Sequence, residues 1–466
     1  MPTPETDFND VLDQNFDDAF NTLEELIELT RFDEEHPVRE NAVYRTSVVL
    51  WMLAYQRLNP DHSLEAAVKK LLEAKPQFLP DNKRLNENTL SPNTGAFSKA
   101  RKRLPVDAAT SLLERISQTL IDAASPSFEG RRVFLIDGTT LTLAPTPELQ
   151  AAFPPAVNQF GPGVWPIAQL VLTHELASGT TLVPQVGTMF GENAVSETTL
   201  VGGCIDQLPD DAILMADPGF GIFWVAWQVH HRNQLGGPSR DFVFRLSKPR
   251  FESLRKKATE MSSGSDHTTY ELTWRPSAKD RKTHPELPAD AAISVRLHEI
   301  RSASNPDADP VYLVTMLRSP AVQLSALYQQ RVHIEVDIRN VKVVLGTEDM
   351  RCRSESMFRK ELMMSMVAYN LVVQFRRQCA ELAGEPPRRM SFKRTWTTFC
   401  TFLLSHVHGE PEEWRAAYRR ALKIGMSDKL PNRPGRSYPR ETYPRRPKSN
   451  QFKKRKPKPK HDDPNT

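Results

Sequence analysis

Residues 133–143 read VFLIDGTTLTL, and this stretch decides how the middle of the chain folds. The run VFLI is typical of a short buried strand, and the alternation in TTLTL favours extended backbone beyond Asp137 and Gly138. A second apolar run, AILMA at 212–216, ends in the same way at Asp217. Because such runs alternate with helical segments further along, the pattern predicts a mixed α/β sheet with helices packed on its faces.

The patterns on both sides of these runs predict further strands and helices. Short apolar or alternating runs predict strands at 167–173, 181–186, 242–247, 269–274, 292–297 and 311–316. Helical periodicity predicts helices at 194–205, 222–230, 321–345, 356–383 and 391–423, the third of them ending at Gly346. Residues 1–125 are predicted to be helical, as short helices separated by turns.

The composition is that of an ordinary globular chain, with 39% hydrophobic and 25% charged residues among 466. No apolar stretch is long enough for a membrane span, and the acidic N-terminus lacks the apolar core of a secretory signal. The sequence therefore predicts a cytoplasmic protein with no membrane partner. The cysteines form no C-x-x-C pair and predict neither a zinc site nor a disulfide framework: Cys204, Cys352, Cys379 and Cys400.

Charge is concentrated at the two ends of the chain. Residues 1–40 hold 13 acidic and 2 basic side chains, whereas residues 431–466 hold 12 basic and 3 acidic ones. The tail is also rich in proline and cannot bury apolar area, so residues 426–466 are predicted to be disordered. We interpret this basic tail either as a sequence-independent arm for DNA phosphates or simply as a solvated tail.

A basic helix in the N-terminal region has two interpretations. Residues 91–105 read SPNTGAFSKARKRLP, with a start signal at SPNTG and a stop at Pro105. The cluster of basic side chains on this helix suggests a small DNA-binding bundle. An ordinary helical domain with a solvated basic face fits equally well. The side chains concerned are Lys99, Arg101, Lys102 and Arg103.

Candidate chemistry begins with the two carboxylates that follow the buried runs. In α/β folds, functional sites gather at the carboxyl ends of strands, so Asp137 and Asp217 are candidate site residues. A lone Asp-Gly at a strand end is more often a turn former, and that alternative remains open for Asp137. A third carboxylate, Glu335, lies on the predicted helix 321–345.

Glu335 belongs to a polar stripe along that helix. Tyr328, Arg331, Glu335 and Lys342 are separated by three, four and seven residues, which puts all four on one helical face. An arginine fork, a phenolic hydroxyl and a lysine suit DNA phosphates, whereas they suit a buried core poorly. The alternative is a surface ion pair between Arg331 and Glu335, which stabilises a helix by only about 0.3 kcal/mol.

Three carboxylates suit divalent cations. Mg²⁺ and Mn²⁺ are hard cations that prefer oxygen ligands, and a two-ion site holds its metals about 3.5–4 Å apart. The pattern therefore predicts that Asp137, Asp217 and Glu335 bind two such ions, Mg²⁺ or Mn²⁺, for an in-line displacement at phosphorus.

Three motifs together resemble those of DDE transposases of the insertion-sequence-four group. They are IDGTT at 136–140, ADPGFG at 216–221 and the signature Y-x2-R-x3-E-x6-K at 328–342. The likeness extends to residues 91–105 and to the run LGTEDMRCRSESMFRKELMMSMVAYNL at 345–371. The whole resemblance spans approximately residues 40–405.

This resemblance implies a ribonuclease-H-like catalytic core with a β-rich insertion between the second aspartate and the glutamate. It also implies an N-terminal helical region that recognises DNA ends. The predicted organisation is an acidic segment at 1–40, a helical DNA-end-binding domain at 41–125, the first part of the core at 130–247, the insertion at 248–318, the second part of the core with C-terminal helices at 319–425, and the disordered tail at 426–466.

The resemblance also implies roles for particular residues. Asp137, Asp217 and Glu335 would form the metal-binding catalytic triad. The other signature residues would grip phosphates near the transposon end: Tyr328, Arg331 and Lys342.

Two positions depart from the family pattern, and a third is a candidate for base stacking. Pro218 follows the second aspartate where the family often has arginine, and Val332 follows Arg331 where an aromatic residue is common. In some family members a tryptophan of the insertion stacks on a flipped base. Trp274 is the tryptophan of this insertion, and a buried strand aromatic is the alternative interpretation.

The sequence thus predicts a cut-and-paste transposase that binds terminal inverted repeats as a homodimer on double-stranded DNA, associated with the bacterial nucleoid. It would hydrolyse the DNA at each end, and the resemblance further implies that the freed 3′-hydroxyl attacks the other strand before it attacks a new target. Two alternatives stay open. One is a catalytically inactive or repurposed DNA-binding protein, and the other is a ribonuclease-H-fold nuclease without strand transfer.

Overall fold

The computed structural model describes residues 19, 22–23, 25–26, 28–39, 41–74, 79, 81–234, 239–301, 309–405 and 411–431. The predictions for the acidic segment 1–40 and for the tail 426–466 therefore fall largely outside the described residues. The described residues up to Lys429 belong to one compact unit. Within these ranges, no helix combines the length and the apolar character needed to cross a bilayer.

The N-terminal region is helical, as predicted. The helix Val106–Asp122 follows Pro105 directly and buries Leu112, Ile116 and Leu120 along one face, which is the spacing of an amphipathic helix. The described helices of this region are α1 Arg31–Glu35, α2 Thr46–Leu58, α3 Leu64–Ala74, α4 Lys83–Asn86, α5 Gly95–Arg103 and α6 Val106–Asp122.

The middle of the chain forms a large mixed sheet and a small hairpin. The strands are β1 Val133–Thr142, β2 Val157–Asn158, β3 Gly161–Pro162, β4 Ile167–Glu175, β5 Gln185–Thr188, β6 Ile213–Ala216, β7 Asp241–Arg245, β8 Thr259–Ser263, β9 His267–Trp274, β10 Ile293–Ile300 and β11 Val311–Thr315. Among the described strands, β2 and β3 pair with each other alone, and the large sheet has the order β5-β4-β1-β6-β7-β11-β10-β9-β8.

Both kinds of strand pairing occur in this sheet. Strand β1 is antiparallel to β4 and parallel to β6, and β6 is parallel to β7. The strands of the predicted insertion extend the same sheet, because β11 pairs with both β7 and β10. A mixed sheet with flanking helices confirms the predicted fold class.

The remaining helices flank the sheet and form the C-terminal region. They are α7 Pro147–Ala152, α8 Glu197–Asp206, α9 Phe223–Gln234, α10 Lys248–Arg255, α11 Ala278–Thr283, α12 Ala321–Gln329, α13 Val332–Arg339, α14 Glu355–Leu382, α15 Phe392–Ser405 and α16 Pro411–Gly425. The single helix predicted over 391–423 is therefore wrong, since α15 and α16 are separate helices.

The predicted continuous helix over 321–345 is also wrong. Helix α12 ends at Gln329, and α13 begins only at Val332, so Arg331 lies at a break between two helices. After α13 the chain makes a π-helical turn, Asn340–Val344. The Leu345 amide closes this turn by donating a hydrogen bond of 3.1 Å to the Asn340 carbonyl. Gly346 ends the segment with φ of +63°, as its position predicts.

The two faces of the sheet are covered by different helices. On one face, Phe134 and Leu214 pack in a cluster with Val201 of α8. On the other face, Val133 packs in a cluster with Leu324 of α12, and Ile334 of α13 joins the same cluster. Alternate residues of one strand thus contact different layers, as the period of a strand requires.

The N-terminal helices pack against the long C-terminal helix α14. Helices α2, α6 and α14 contribute to one continuous hydrophobic core. The buried ammonium of Lys360 on α14 donates to the carbonyls of Arg101, Lys102 and Leu104 at 3.0, 3.2 and 2.9 Å. These are carbonyls at the C-terminal end of α5, where a helix favours a cation.

Candidate active site

Strand pairing places Asp137 and Asp217 side by side. Strands β1 and β6 run parallel with Val133 opposite Ile213. Continuing that register for four residues puts Asp137 opposite Asp217, just beyond the end of β6. Asp137 lies within β1 rather than after it, because β1 continues past the end of its neighbour. Since side chains alternate along a strand, both carboxylates lie on the face that α12 and α13 cover.

Each aspartate is held by a backbone amide through one oxygen. Oδ1 of Asp137 accepts from the Gly138 amide at 2.9 Å, and Oδ1 of Asp217 accepts from the Gly219 amide at 2.8 Å. In both residues the remaining oxygen, Oδ2, faces the same guanidinium, that of Arg331. The two aspartates are therefore oriented toward a common point.

The loop after Asp217 is supported by an arginine from α10. The guanidinium of Arg250 donates to the carbonyls of Pro218 and Gly221 at 3.1 and 2.8 Å. A Cβ at Gly221 would lie 2.2 Å from the Arg245 carbonyl oxygen, so this close approach of backbone requires glycine. Pro218 therefore lies in a loop whose backbone carbonyls are held in place by hydrogen bonds from Arg250.

Arg331 brings the three predicted catalytic carboxylates together. Its Nη2 lies 2.9 Å from Oδ2 of Asp137 and 3.8 Å from Oδ2 of Asp217, and its Nη1 lies 3.5 Å from Oε1 of Glu335. The predicted surface ion pair between Arg331 and Glu335 is present, but it is one part of this larger arrangement. The break before α13 places Arg331 at the centre of the group.

The electrostatics of the site favour a bound cation. Burial raises the pKa of Asp137 to about 6; the Arg331 guanidinium opposes that rise, and the neighbouring carboxylate of Asp217 adds to it. Negative charges crowded in a partly buried site attract a cation, and here the cation is a side chain of the protein itself.

The donor set fits a divalent metal, although the carboxylates meet through Arg331. Among the described residues, no three acidic, histidine or cysteine side chains lie close enough together to form a ready-made metal site. The carboxylates of Asp137, Asp217 and Glu335 nevertheless surround one cationic group with hard oxygen donors, the ligands that Mg²⁺ and Mn²⁺ prefer. These are the residues that could hold a metal once the guanidinium withdraws.

A fourth carboxylate, Glu197, has no counterpart among the residues predicted from the sequence. It occupies the first position of α8 after the N-cap Ser196, and a Cβ on Gly138 would meet its carboxylate at 2.1 Å. Burial raises the pKa of Glu197, the charge of Asp217 raises it further, and a hydrogen bond from Gln169 lowers it. No local pattern marks Glu197, because acidic residues are common in the first turn of a helix.

Tyr328 and Lys342 occupy the two ends of the signature stripe. Tyr328 packs against the apolar cluster beneath the sheet, and burial raises its pKa to about 12. The ammonium of Lys342 donates to the Thr140 carbonyl at 3.2 Å and pairs with Glu348 at 3.1 Å. The π-helical turn that carries Lys342 thus fastens the signature segment to β1.

The basic residues of α5 do not share one face. Lys99, Lys102 and Arg103 are exposed. The guanidinium of Arg101 instead points inward, where it lies 3.2 Å from the carboxylate of Glu361 on α14. Arg101 is therefore separated from the predicted DNA-binding set, and the other three remain together on the surface.

Trp274 lies at the end of β9 and is only 4% exposed. Its ring packs edge-on against Phe223 of α9, with centroids 5.6 Å apart and an interplanar angle of 84°. This enclosed position fits the alternative interpretation, a buried strand aromatic, and leaves little surface for a base.

Comparison with known proteins identifies the family. Residues 128–371, more than half of the chain, match the family described as the Transposase DDE domain. The chain belongs to the DDE transposase family. The matched span contains Asp137, Asp217, Glu335 and the rest of the signature, so the residues that converge on Arg331 belong to the shared domain.

This transposase is also similar to individual proteins of the same kind. It is 26% identical over 369 residues to the transposase InsG of insertion sequence element IS4 from Escherichia coli strain K12, an alignment covering 76% of this chain and 79% of InsG. A solved piggyBac transposase synaptic complex with hairpin DNA is 12% identical, covers 89% of this chain and 84% of that chain, and has a TM-score of 0.39.

The family match confirms the resemblance predicted from the three motifs. The protein is a DDE transposase, and enzymes of this family act on DNA with a divalent metal ion.

Proposed function

We propose that this transposase carries out cut-and-paste transposition with Asp137, Asp217 and Glu335 as its catalytic residues. The observation that carries the proposal is the convergence of these three carboxylates on one cationic group, within 2.9 to 3.8 Å of its nitrogens. Two Mg²⁺ or Mn²⁺ ions held there would supply charge stabilisation at the scissile phosphate.

The proposed reaction exchanges phosphodiester bonds. In the first step water adds at phosphorus and the bond to the 3′ oxygen breaks, which leaves a 3′-hydroxyl and a 5′-phosphate at each end of the element. In the second step that 3′-hydroxyl adds to a phosphodiester of the opposite strand and displaces the flanking 3′ oxygen, which releases the element; after water has reopened the hairpin so formed, the same 3′-hydroxyl adds to a target phosphodiester and displaces a target 3′ oxygen. One phosphodiester replaces another in this second step, so no outside source of energy is required.

The chain's other residues would position the DNA. Arg331 lies next to the carboxylates, and together with Tyr328 and Lys342 of the same signature it would contact phosphates of the transposon end. The exposed Lys99, Lys102 and Arg103 of α5 would add phosphate contacts beside the terminal inverted repeat. Two copies of the protein would act together on double-stranded DNA, one at each end, on the nucleoid.

The test uses the purified protein and a duplex that carries the ends flanking its own gene. Wild type, Glu335→Gln and the matched control Glu355→Gln are incubated with and without Mg²⁺, and a supercoiled plasmid is supplied as target. Glu355 lies in a partly exposed ion pair with Arg359 on α14, away from the converging carboxylates, so its variant should behave as wild type.

We expect Mg²⁺-dependent cleavage at the element boundary, followed by joining to the plasmid, with both products absent for Glu335→Gln. Cleavage without joined product would instead indicate a nuclease that lacks strand transfer. Specific binding without cleavage by wild type would indicate an inactive or repurposed copy.

A further inference from the structure

An uncharged hairpin projects between strands β1 and β4. Between Glu148 and His174 the sequence contains no aspartate, glutamate, lysine or arginine, in a chain of which 25% is charged. Strands β2 and β3 lie in this segment and pair with Val157 opposite Pro162. We call residues 153–166 the uncharged hairpin.

Large apolar side chains cover the outside of the uncharged hairpin. Phe160 is 86% exposed, Val157 74%, Val164 59% and Trp165 56%. With roughly 150–250 Å² for each aromatic side chain and somewhat less for valine, they present roughly 500 Å² of apolar surface to solvent. A patch of this size equals the largest apolar patch of a typical soluble protein, and such patches are often functional.

The tip of the uncharged hairpin is ordered by its own hydrogen bonds. The amide of Phe160 donates to Oδ1 of Asn158 at 2.8 Å, and the amide of Gly163 donates to the Ala156 carbonyl at 2.8 Å. Gly161 has φ of +105°, a conformation that glycine adopts without strain. The turn therefore holds Phe160 at the end of a short, closed loop.

The base of the uncharged hairpin is anchored in the core. Phe153 is buried and packs edge-on against Phe358 of α14, with centroids 5.3 Å apart. The side-chain amide of Gln150 donates to the Val164 carbonyl at 2.8 Å. Because these contacts fix the base of the hairpin, the exposed rings of Phe160 and Trp165 have a defined position relative to the core.

The uncharged hairpin lies on the same side of the sheet end as the candidate active site. It joins β4 at Ile167, which pairs with Thr142 of β1, five residues beyond Asp137 and therefore roughly 17 Å along the strand. Between them lies Thr140, whose carbonyl accepts from Lys342 of the signature. DNA that enters the site in the direction of β1 would therefore meet this hairpin next.

We propose that the uncharged hairpin is a DNA-contacting wedge whose Phe160 and Trp165 rings stack on bases beside the cleavage site. This inference rests on the proposed function, since it needs DNA in the candidate active site. The hairpin carries no cation that could neutralise a phosphate, but base faces are apolar, and proteins insert apolar side chains between base steps to unstack them. The hairpin would thus contact the bases while the signature residues contact phosphates.

A second copy of this chain is the less favoured occupant. A stable protein–protein interface buries about 800 Å² on each partner, which exceeds the roughly 500 Å² that these four side chains expose. Stacking of bases on two aromatic rings needs no more area than the tip offers.

The experiment measures base unstacking and affinity separately in the full-length protein. A duplex carrying the element's own end contains the fluorescent base 2-aminopurine at successive positions beside the cleavage site. The variants are Phe160→Ala with Trp165→Ala, and Met261→Ala as control, because Met261 is an apolar residue 55% exposed on β8. All carry Glu335→Gln to prevent cleavage, and circular dichroism checks that they are folded.

We expect the control to bind DNA with a rise in 2-aminopurine fluorescence at one or two positions. The double variant should lose that rise and bind about tenfold more weakly. The slope of log affinity against log salt should stay unchanged, because the double variant keeps every side chain that neutralises a phosphate.

Two results would overturn the wedge. One is a double variant that matches the control in affinity and fluorescence. The other is a double variant that sediments as a monomer where the control is a dimer, with DNA binding unchanged, which would assign the hairpin to a second copy. Cleavage by otherwise wild-type protein in Mg²⁺ is assayed in parallel, so that failure of the proposed function is seen independently of the fluorescence result.

Discussion

Nη2 of Arg331 lies 2.9 Å from Oδ2 of Asp137, so the signature arginine is paired directly with the first of the three converging carboxylates. The same guanidinium reaches Asp217 and Glu335. Its Nε is buried and makes no hydrogen bond within the described part of the chain. One guanidinium thus pairs with all three carboxylates, and a divalent cation that binds among them has to compete with it.

Removing this guanidinium should strengthen divalent-metal binding. We expect Arg331→Gln to bind Mn²⁺ roughly fivefold more tightly than wild type in the absence of DNA, since about 1 kcal/mol of competing ion pairing is removed. Titration calorimetry or electron paramagnetic resonance of the metal measures this directly, without any turnover.

Two further variants make that comparison specific. Arg331→Lys keeps the positive charge and should stay close to wild type. Arg359→Gln removes an arginine from a surface pair with Glu355 and should leave Mn²⁺ affinity unchanged. If Arg331→Gln binds Mn²⁺ no more tightly than Arg359→Gln, Arg331 does not compete with the metal.

The pairing of the two aspartates is within reach of sequence reasoning. The runs VFLI and ILMA are both short and buried, and each leads directly to an aspartate, so parallel pairing in register brings Asp137 next to Asp217. The break before Arg331 is not predictable in this way. The residues around it contain no glycine or proline, so the local pattern favours continuous helix, and packing against the sheet interrupts it.

The inward orientation of Arg101 is predictable from the helical period. Phe97, Ala100 and Leu104 are buried, and Arg101 falls on the same stripe by the spacing i, i+3, i+4 and i+7. By contrast, Glu197 approaches the site only because its helix packs over Gly138, and no periodicity predicts such an approach.

A buried ion pair holds the helix that carries Glu335. Asp337 is fully buried, its Oδ1 lies 2.6 Å from Nη1 of Arg388, and the hydroxyl of Tyr369 donates to the same oxygen at 3.1 Å. Asp337→Ala leaves the charge of Arg388 buried without its partner. We expect a loss of about 3–5 kcal/mol in the free energy of unfolding, measured with urea.

A surface pair of the same length provides the control for Asp337. Asp206 lies 2.6 Å from Nε of Arg232, but its side chain is 62% exposed. Asp206→Ala should cost less than about 1 kcal/mol, because solvent screens the pair. Equal losses for the two variants would show that burial does not decide the strength of the Asp337 pair.

His298 should make the stability of the protein depend on pH. It is buried on β10, with Nδ1 3.0 Å from Oγ1 of Thr269, and burial, helped by the charges of Arg296 and His267, lowers its pKa to about 4. The unfolded chain, with a histidine pKa of about 6.5, therefore binds more protons than the folded one between these values. Stability should fall as pH falls through this window, by roughly 2 kcal/mol from pH 7.5 to pH 5.

Replacing the ring isolates this contribution. His298→Gln keeps a polar partner for Thr269 and cannot be protonated, so its unfolding free energy should decline less than that of wild type over the same pH range. Urea unfolding at pH 7.5 and pH 5 measures both. An identical decline in the two proteins would mean that other groups, such as His62, whose pKa burial lowers to about 4, carry the dependence.

The basic residues of α5 should separate into two classes when they are replaced. Lys102→Ala with Arg103→Ala removes exposed charge, so DNA affinity should fall. The slope of log affinity against log salt concentration should decrease in magnitude by up to about 2, at about 0.9 for each phosphate no longer neutralised.

Arg101→Ala instead leaves Glu361, only 6% exposed, without its partner and should cost about 3 kcal/mol of unfolding free energy. Fluorescence anisotropy across a salt series and urea unfolding measure the two effects. A lower salt slope for Arg101→Ala at unchanged stability would place Arg101 on the DNA and contradict its inward position.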